Sequence, residues 1–288
     1  MSDPRVSVGI PLYCSRPFLD SLRENCAALA AETNIEVIIS DRHGLDDAFD
    51  LLYAEWGKDA RFRFLRGDDR LNWVENMNLL LREARGEYFR WMPHDDCFPA
   101  GCLTPLITRL ESSPSVVLAY GPTRALDAAG RRRPERDRLR SFPVRPGQAW
   151  TLQHSLDLFW KGSCDGAFKG LFRRRAVLDA KLFIRPTYRL IHAERAWLFG
   201  LSLLGGLAEE PKSIYLKRFH PNSVHATWRR GTLEIISATS TMCGYLRDYG
   251  PDLSAKCLGA AYLWRKAFQR IKRQRGNLKG RRHANAAR

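Results

Sequence analysis

Tyr88-Phe89-Arg90-Trp91-Met92-Pro93-His94-Asp95-Asp96 is the stretch on which the fold turns. Its first five residues form a short apolar, aromatic run of strand length, and the run stops at a proline followed by acids. On the N-terminal side, Trp73, Met77, Leu80, Leu81 and Ala84 recur at helical spacing. Before them Phe62 and Phe64 mark a strand, and Phe49, Leu52, Tyr53 and Trp56 a helix. Glu36 to Ser40 is a continuous apolar run of the kind a buried parallel strand shows. Phe18, Leu22, Cys26 and Leu29 form a first helix, and Val6, Val8, Ile10 and Leu12 alternate as a first strand. On the C-terminal side, Leu103, Leu106, Ile107 and Leu110 give a helix and Val116 to Tyr120 a strand. Strand and helix taking turns in this way predict a mostly parallel sheet with helices on both faces. Such sheets bind ligands outside the carboxyl ends of their strands.

Those ends are therefore where function is sought. The first strand is followed by Pro11-Leu12-Tyr13-Cys14-Ser15-Arg16, the second by Asp41 and the fourth by Pro93-His94-Asp95-Asp96. No Gly-x-Gly-x-x-Gly follows the first strand, and no Gly-Lys-Ser/Thr phosphate loop occurs. A nucleotide bound here would have its diphosphate neutralised by a metal on carboxylates. Asp41 can accept hydrogen bonds from the N–H of a base, or serve as a turn residue before Arg42-His43-Gly44. Asp95 suits a hard divalent cation, Mg²⁺ or Mn²⁺. Asp96 reads as a turn or cap residue ahead of the next helix.

Composition sets the outer limits. The chain has 288 residues, 44% hydrophobic, with seven cysteines and a net charge of +16. That excludes a disordered or fibrous protein. No apolar run suggests a membrane span, and the opening residues lack the pattern of a secretory signal. Cysteines in odd number without a Cys-x-x-Cys pair argue against a disulfide framework or structural zinc and fit a reducing cytoplasm. The charge is uneven: Lys256 to Arg288 carries 11 basic residues and no acidic ones.

Four blocks carry a resemblance. They are Val6-Ser7-Val8-Gly9-Ile10-Pro11-Leu12-Tyr13, Val37-Ile38-Ile39-Ser40-Asp41, Asn76-Met77-Asn78 and Ala84 to Asp96. In order and spacing the chain resembles the family-two glycosyltransferases over roughly residues 5 to 110. Gly170-Leu171-Phe172-Arg173, Ala193-Glu194-Arg195 and Arg218-Phe219-His220-Pro221-Asn222-Ser223 resemble the family's acceptor-side blocks. The resemblance implies an α/β fold of the GT-A type, a Rossmann-like, mostly parallel sheet flanked by helices with a C-terminal helical extension. It implies a domain over 1–225, with a nucleotide-sugar half at 1–120 and an acceptor half at 121–225, and an extension over 226–288. It implies an inverting transfer of a sugar from a nucleotide-diphosphate donor to a hydroxyl acceptor, a glycan or lipid-linked glycan, with Mn²⁺ or Mg²⁺.

Residue by residue, the resemblance implies that Pro11 and Tyr13 line the nucleotide pocket, Asp41 holds the base and Asn76 sits near the ribose or diphosphate. Asp95 falls on the last acid of the family's Asp-x-Asp motif, the metal-binding position. Pro93 replaces the first acid, and His94 holds the middle place. Glu194 matches the catalytic base, where many relatives have Asp. His220, after a strand, is a candidate contact to the diphosphate or metal. Arg173 to Arg175 read as a solvated face, with an anionic acceptor as the alternative.

The tail adds a second theme. Leu263, Trp264, Ala267, Phe268 and Ile271 fall on one face of a helix whose other positions are rich in Arg and Lys. Such a basic amphipathic helix can lie on anionic lipid or pack on the body of the protein. The expectation is a cytoplasmic transferase of surface-polysaccharide assembly, at the inner face of the cell membrane. No nucleic-acid partner is expected, since none of the recognition motifs is present. The alternative is a non-catalytic relative, its metal motif broken by Pro93, that binds nucleotide sugar or glycan.

Overall fold

Alternation begins at once: β1 (Val6–Leu12), α1 (Leu19–Ala30), β2 (Ile35–Asp41), α2 (Ala48–Trp56), β3 (Phe62–Arg66), α3 (Trp73–Glu83), β4 (Tyr88–Trp91), α4 (Leu103–Glu111) and β5 (Val116–Tyr120). There follow β6 (Thr123–Leu126), α5 (Leu152–Lys161), β7 (Leu171–Arg173), α6 (Arg174–Asp179), α7 (Ala193–Leu204), β8 (Gly206–Glu209), β9 (Tyr215–Arg218), α8 (Thr232–Tyr249) and α9 (Leu253–Ala286). The structure, a computed structural model, describes residues 3–67, 69–137, 148–161, 166–221, 223 and 231–286. The boundary expected at 225, residues 138–145 at the end of an Arg- and Pro-rich stretch that begins at Arg124, Asn222 and the last two tail residues lie outside them.

Seven strands form one sheet in the order β3-β2-β1-β4-β7-β5-β8. The pairs β1–β2, β1–β4, β2–β3 and β5–β8 are parallel, while β7 runs antiparallel to both neighbours. The carboxyl ends of β1 to β4 therefore open onto one edge. Side chains alternate across a strand, and here both faces are covered. In β2, Val37 and Ile39 join the core beneath α1, α2 and α4, and Ile38 joins the core beneath α3 and α7. That is why β2 reads as an unbroken apolar run.

The start of α3 is fixed by a capping box. Asn72 Oδ1 accepts from the N–H groups of Val74 and Glu75 at 3.0 and 3.1 Å, and Glu75 accepts from the Asn72 N–H at 3.0 Å.

The second half departs from its sequence reading in two places. Arg124 to Arg145 reads as an exposed loop or hairpin, but its first residues are strand, because β6 pairs in parallel with β9 in a separate two-stranded sheet. Gly121 makes that turn possible: a Cβ there would fall 1.2 Å from the Ser213 carbonyl oxygen. Arg173 and Arg174 are not a solvated face. Arg173 donates to the Val116 and Leu110 carbonyls, and Arg174 to those of Gly86 and Arg85, at the sheet edge opposite the acidic loops.

The apolar side of the tail helix is largely occupied by protein. Leu263, Ala267 and Ile271 are buried, the last two with Ile235 of α8 and against Trp160 of α5. Phe268 is 61% exposed and points the other way. The outward side of α9 thus carries Phe268 with Arg265, Lys272 and Arg273. No helix among the described residues is long and apolar enough to cross a membrane.

Candidate active site

The loops after β1, β4 and β9 meet around Asp95. His220 Nε2 lies 3.0 Å from Asp95 Oδ2, although 125 residues separate them in sequence. What brings them together is Asp96. Its buried carboxylate accepts from the Tyr215 hydroxyl and, at 2.9 Å, from the Arg218 N–H, so it fastens β9 to the loop after β4. Burial and the neighbouring Asp95 push Asp96 up to about 7. Arg218 closes the clasp by donating to the Asp95 carbonyl at 3.1 Å, the Ala128 carbonyl at 3.0 Å and Ser21 Oγ at 2.6 Å. The reading of Asp96 as a turn or cap residue is therefore corrected: it is a buried anchor. Its signal in the sequence is only that it follows Asp95.

His94 faces the other way. Its Nδ1 lies 2.7 Å from Ser15 Oγ, which also accepts from the Tyr13 N–H at 2.9 Å. The loops after β1 and β4 are tied together by this contact. Burial pushes His94 below its usual range, against the pull of Asp95, so the imidazole is favoured in its neutral form. Phe18 packs against both histidine rings, at 5.3 Å from His94 and 4.8 Å from His220.

Farther along the edge, Asp41 is buried, and its Oδ1 accepts from the N–H groups of His43 and Gly44 at 3.0 and 2.9 Å. The turn role is thus observed. Asn76 is buried beside it and accepts from Ser40 Oγ at 2.7 Å. Pro11 lies within β1, partly buried. Tyr13 is 52% exposed, with its ring edge-on to His43 at 5.1 Å. Next to these a cleft of about 580 Å³ is lined by His43, Gly44, Asp46, Asp50, Arg66, Gly67 and Arg70.

Glu194 stands in the first turn of α7. Three of the four residues Arg189 to His192 have left-handed backbone, with φ of 53°, 57° and 70° at Arg189, Leu190 and His192. Such conformations are strained for residues with side chains and recur at functional sites. They deliver the chain into α7 with Glu194 Oε2 buried and without a hydrogen-bond partner among the described residues. Burial holds the Glu194 carboxyl above its usual range, offset in part by Arg195, Lys169 and Lys217.

Two of those cations are absent from the sequence reading. Lys169 ends a short 3-10 turn before β7, and Lys217 is on β9. Burial pushes Lys169 down to about 8, and Lys217 adds to that, against the pull of Asp96, Asp95 and Glu194. Burial likewise raises Asp95, but His94, the His220 hydrogen bond and Lys169 outweigh it and hold the carboxyl below its usual range. A lone lysine inside Ala167-Phe168-Lys169-Gly170-Leu171-Phe172 was the available signal.

A divalent metal can be tested against this donor set. Among the described residues no three His, Cys, Asp or Glu side chains gather as a complete metal cage. Asp95 and His220 are a pair. Their 3.0 Å spacing fits two adjacent corners of an octahedron with bonds of about 2.1 Å, the remaining corners being left for water and substrate oxygens. The pair fits a metal shared with a phosphate.

Similar proteins bear on the same architecture. A structure of S. aureus TarS 1–349 in complex with UDP-GlcNAc aligns over 92% of this chain and 73% of its own, at 13% identity and a TM-score of 0.69. Mannosyltransferase PcManGT from Pyrobaculum calidifontis, in complex with GDP-Man and Mn²⁺, aligns over 94% and 88%, at 14% identity and a TM-score of 0.54. At such identities the likeness is one of fold, and the fold is that of the GT-A glycosyltransferases. No curated protein matches. The model of glycosyl transferase family 2 matches residues 7–178, a span that holds β1 to β5 and the acidic loops. Since that span is more than half of the chain, the protein belongs to glycosyl transferase family 2.

Proposed function

We propose that the protein transfers a sugar, with inversion, from a nucleotide-diphosphate donor to a hydroxyl of a glycan or lipid-linked glycan in surface-polysaccharide assembly. The observation that carries this reading is the buried, unpartnered Oε2 of Glu194 at the same sheet edge as the Asp95–His220 pair. A non-catalytic binding protein has no use for that arrangement, since a buried carboxylate oxygen without a partner is costly.

The base of the donor would lie over the loops after β2 and β3, near Asp41, Pro11 and Tyr13, with Asn76 beneath. Asp95 and His220 would hold Mn²⁺ or Mg²⁺, which neutralises the diphosphate when bound. His94 keeps the loop after β4 in place through Ser15. Glu194 takes the proton of the acceptor hydroxyl as that oxygen attacks the anomeric carbon. The bond from that carbon to the phosphate oxygen breaks, and its electron pair leaves with the nucleoside diphosphate. Inversion follows from this single displacement.

Release of nucleoside diphosphate from a panel of nucleotide sugars tests the reading. Turnover of one donor, stimulated by Mn²⁺ and lost in Asp95→Ala, is the expected result. A donor that binds without turnover under every metal condition would instead support a binding protein.

The outward side of α9 would give the enzyme a means of reaching a lipid-linked acceptor. Arg265, Lys272 and Arg273 suit anionic headgroups, and exposed Phe268 suits the interface. Salt-sensitive co-sedimentation with anionic vesicles, weakened by Phe268→Ser, is expected; equal binding to zwitterionic vesicles would contradict it.

A further inference from the structure

Lys169 is a charge with no partner of its own. Three carboxylates, Asp95, Asp96 and Glu194, lie within electrostatic reach. Yet among the described residues the Lys169 ammonium makes no hydrogen bond or ion pair, and its Nζ lies 4.8 Å from the centre of the Phe168 ring. Two of those acids are already engaged, Asp95 by His220 and Asp96 by Tyr215 and Arg218. Lys169 is partly buried, and an ammonium drawn partly out of water without a direct partner is costly and is kept where an anion arrives.

The backbone at Lys169 is held in place, its N–H donating to the Gly166 carbonyl at 3.0 Å. Phe168 stacks on Trp91 at 5.0 Å, and Trp91 ends the strand that leads into Pro93-His94-Asp95. Lys169 is thus fixed to the same support as the Asp95 loop. That loop has a proline where a second acid would strengthen a metal seat. One anion fewer and one fixed cation more shift the site toward neutralising a diphosphate with protein charge.

We propose that Lys169 is a catalytic residue of this site, whose ammonium binds the donor's diphosphate and stabilises the charge that builds on the departing phosphate oxygen. The inference rests on the transferase reading above. A fixed cation acts most strongly where charge develops in the transition state, because it needs no reorganisation. No proton need move to or from Lys169: the acceptor's proton goes to Glu194, and the leaving electron pair stays on the diphosphate oxygen.

Calorimetric titration of the full chain with UDP, GDP and the corresponding nucleosides, in EDTA and in Mn²⁺, tests it with Lys169→Met and Lys169→Arg. The wild type is expected to bind one of the diphosphates in EDTA. Lys169→Met should weaken that binding about tenfold or more, as loss of a charge-assisted contact does. Its affinity for the nucleoside should stay within about twofold, since no charge is lost there. Lys169→Arg should recover most of the diphosphate affinity, and the unliganded Lys169→Met protein should melt at or above the wild-type midpoint. Equal loss of nucleoside and diphosphate binding, or none in either buffer, would overturn the role of Lys169 and leave the transferase reading standing. Failure of the wild type to bind either diphosphate in either buffer would remove the donor site itself, and Lys169 with it.

Discussion

Replacing Glu194 with Gln is expected to lower the rate of sugar transfer by about 10²–10⁴-fold, the usual contribution of a general base. The amide keeps the shape of the side chain but cannot accept the acceptor's proton. Donor affinity should be unchanged, so the loss falls on kcat. Glu194→Asp should also be impaired, because withdrawing the carboxylate by one methylene moves it more than an ångström from a position fixed by the strained turn 189–192. The pH dependence has a definite sign. Burial raises the Glu194 carboxyl in the folded protein, so the base takes up its proton earlier as pH falls, and activity declines at a pH above the ordinary carboxylate range. For stability the same shift favours the protonated side chain. Its contribution is full below the unfolded value and lost as pH rises through the folded one. Glu194→Gln escapes that loss and should melt no lower than the wild type at neutral pH. Wild-type turnover in Glu194→Gln would remove this residue from the mechanism.

Trp91→Ala is expected to cost about 3–5 kcal/mol of stability, the range for deleting a large aromatic from a core. Trp91 is fully buried, and its ring lies 5.0 Å from Phe168, 4.9 Å from Trp197 and 5.2 Å from Phe172. Its Nε1 donates to the Met77 carbonyl at 2.9 Å. Each neighbour leads to a part of the site: Phe168 to Lys169, Trp197 to Glu194 three residues earlier, Met77 to Asn76. Truncation would leave a cavity under all three and remove the indole donor to the Met77 carbonyl. Against a total stability of about 5–15 kcal/mol, such a loss is large. Denaturant unfolding measures it, and a midpoint within error of the wild type would show that the aromatic cluster does not carry the site.

The first half of the fold follows from sequence because its signals are local. Val37-Ile38-Ile39 is apolar on both faces, and α3 announces itself with Asn72 and Glu75 three residues apart. Asp41 and Asp95 stand at or just past strand ends, where a parallel sheet binds ligands, while Glu194 is picked out only by the resemblance. What sequence hides is long-range. Nothing local says that Asp96 will be buried under Tyr215 and Arg218, because both donors come from a strand more than a hundred residues away. Strand β8, Gly206-Leu207-Ala208-Glu209, is too short and too rich in small residues to register, and it exists because β5 offers it an edge. The tail helix shows the same limit. Its pattern groups Phe268 with Leu263, Ala267 and Ile271, yet Phe268 is exposed, and a pattern cannot say whether lipid or α5 and α8 will cover the apolar side.

The central claim is that the carboxyl edge of β1 to β4 holds a nucleotide-diphosphate sugar. Thermal unfolding of the full chain against nucleoside diphosphates and nucleotide sugars, with and without Mn²⁺, tests it most directly, since a ligand of the native state raises the midpoint by mass action. The expected result is a rise for one base, larger with Mn²⁺, with the Mn²⁺ increment lost in Asp95→Ala. An unchanged midpoint with every nucleotide, in either buffer, would contradict it.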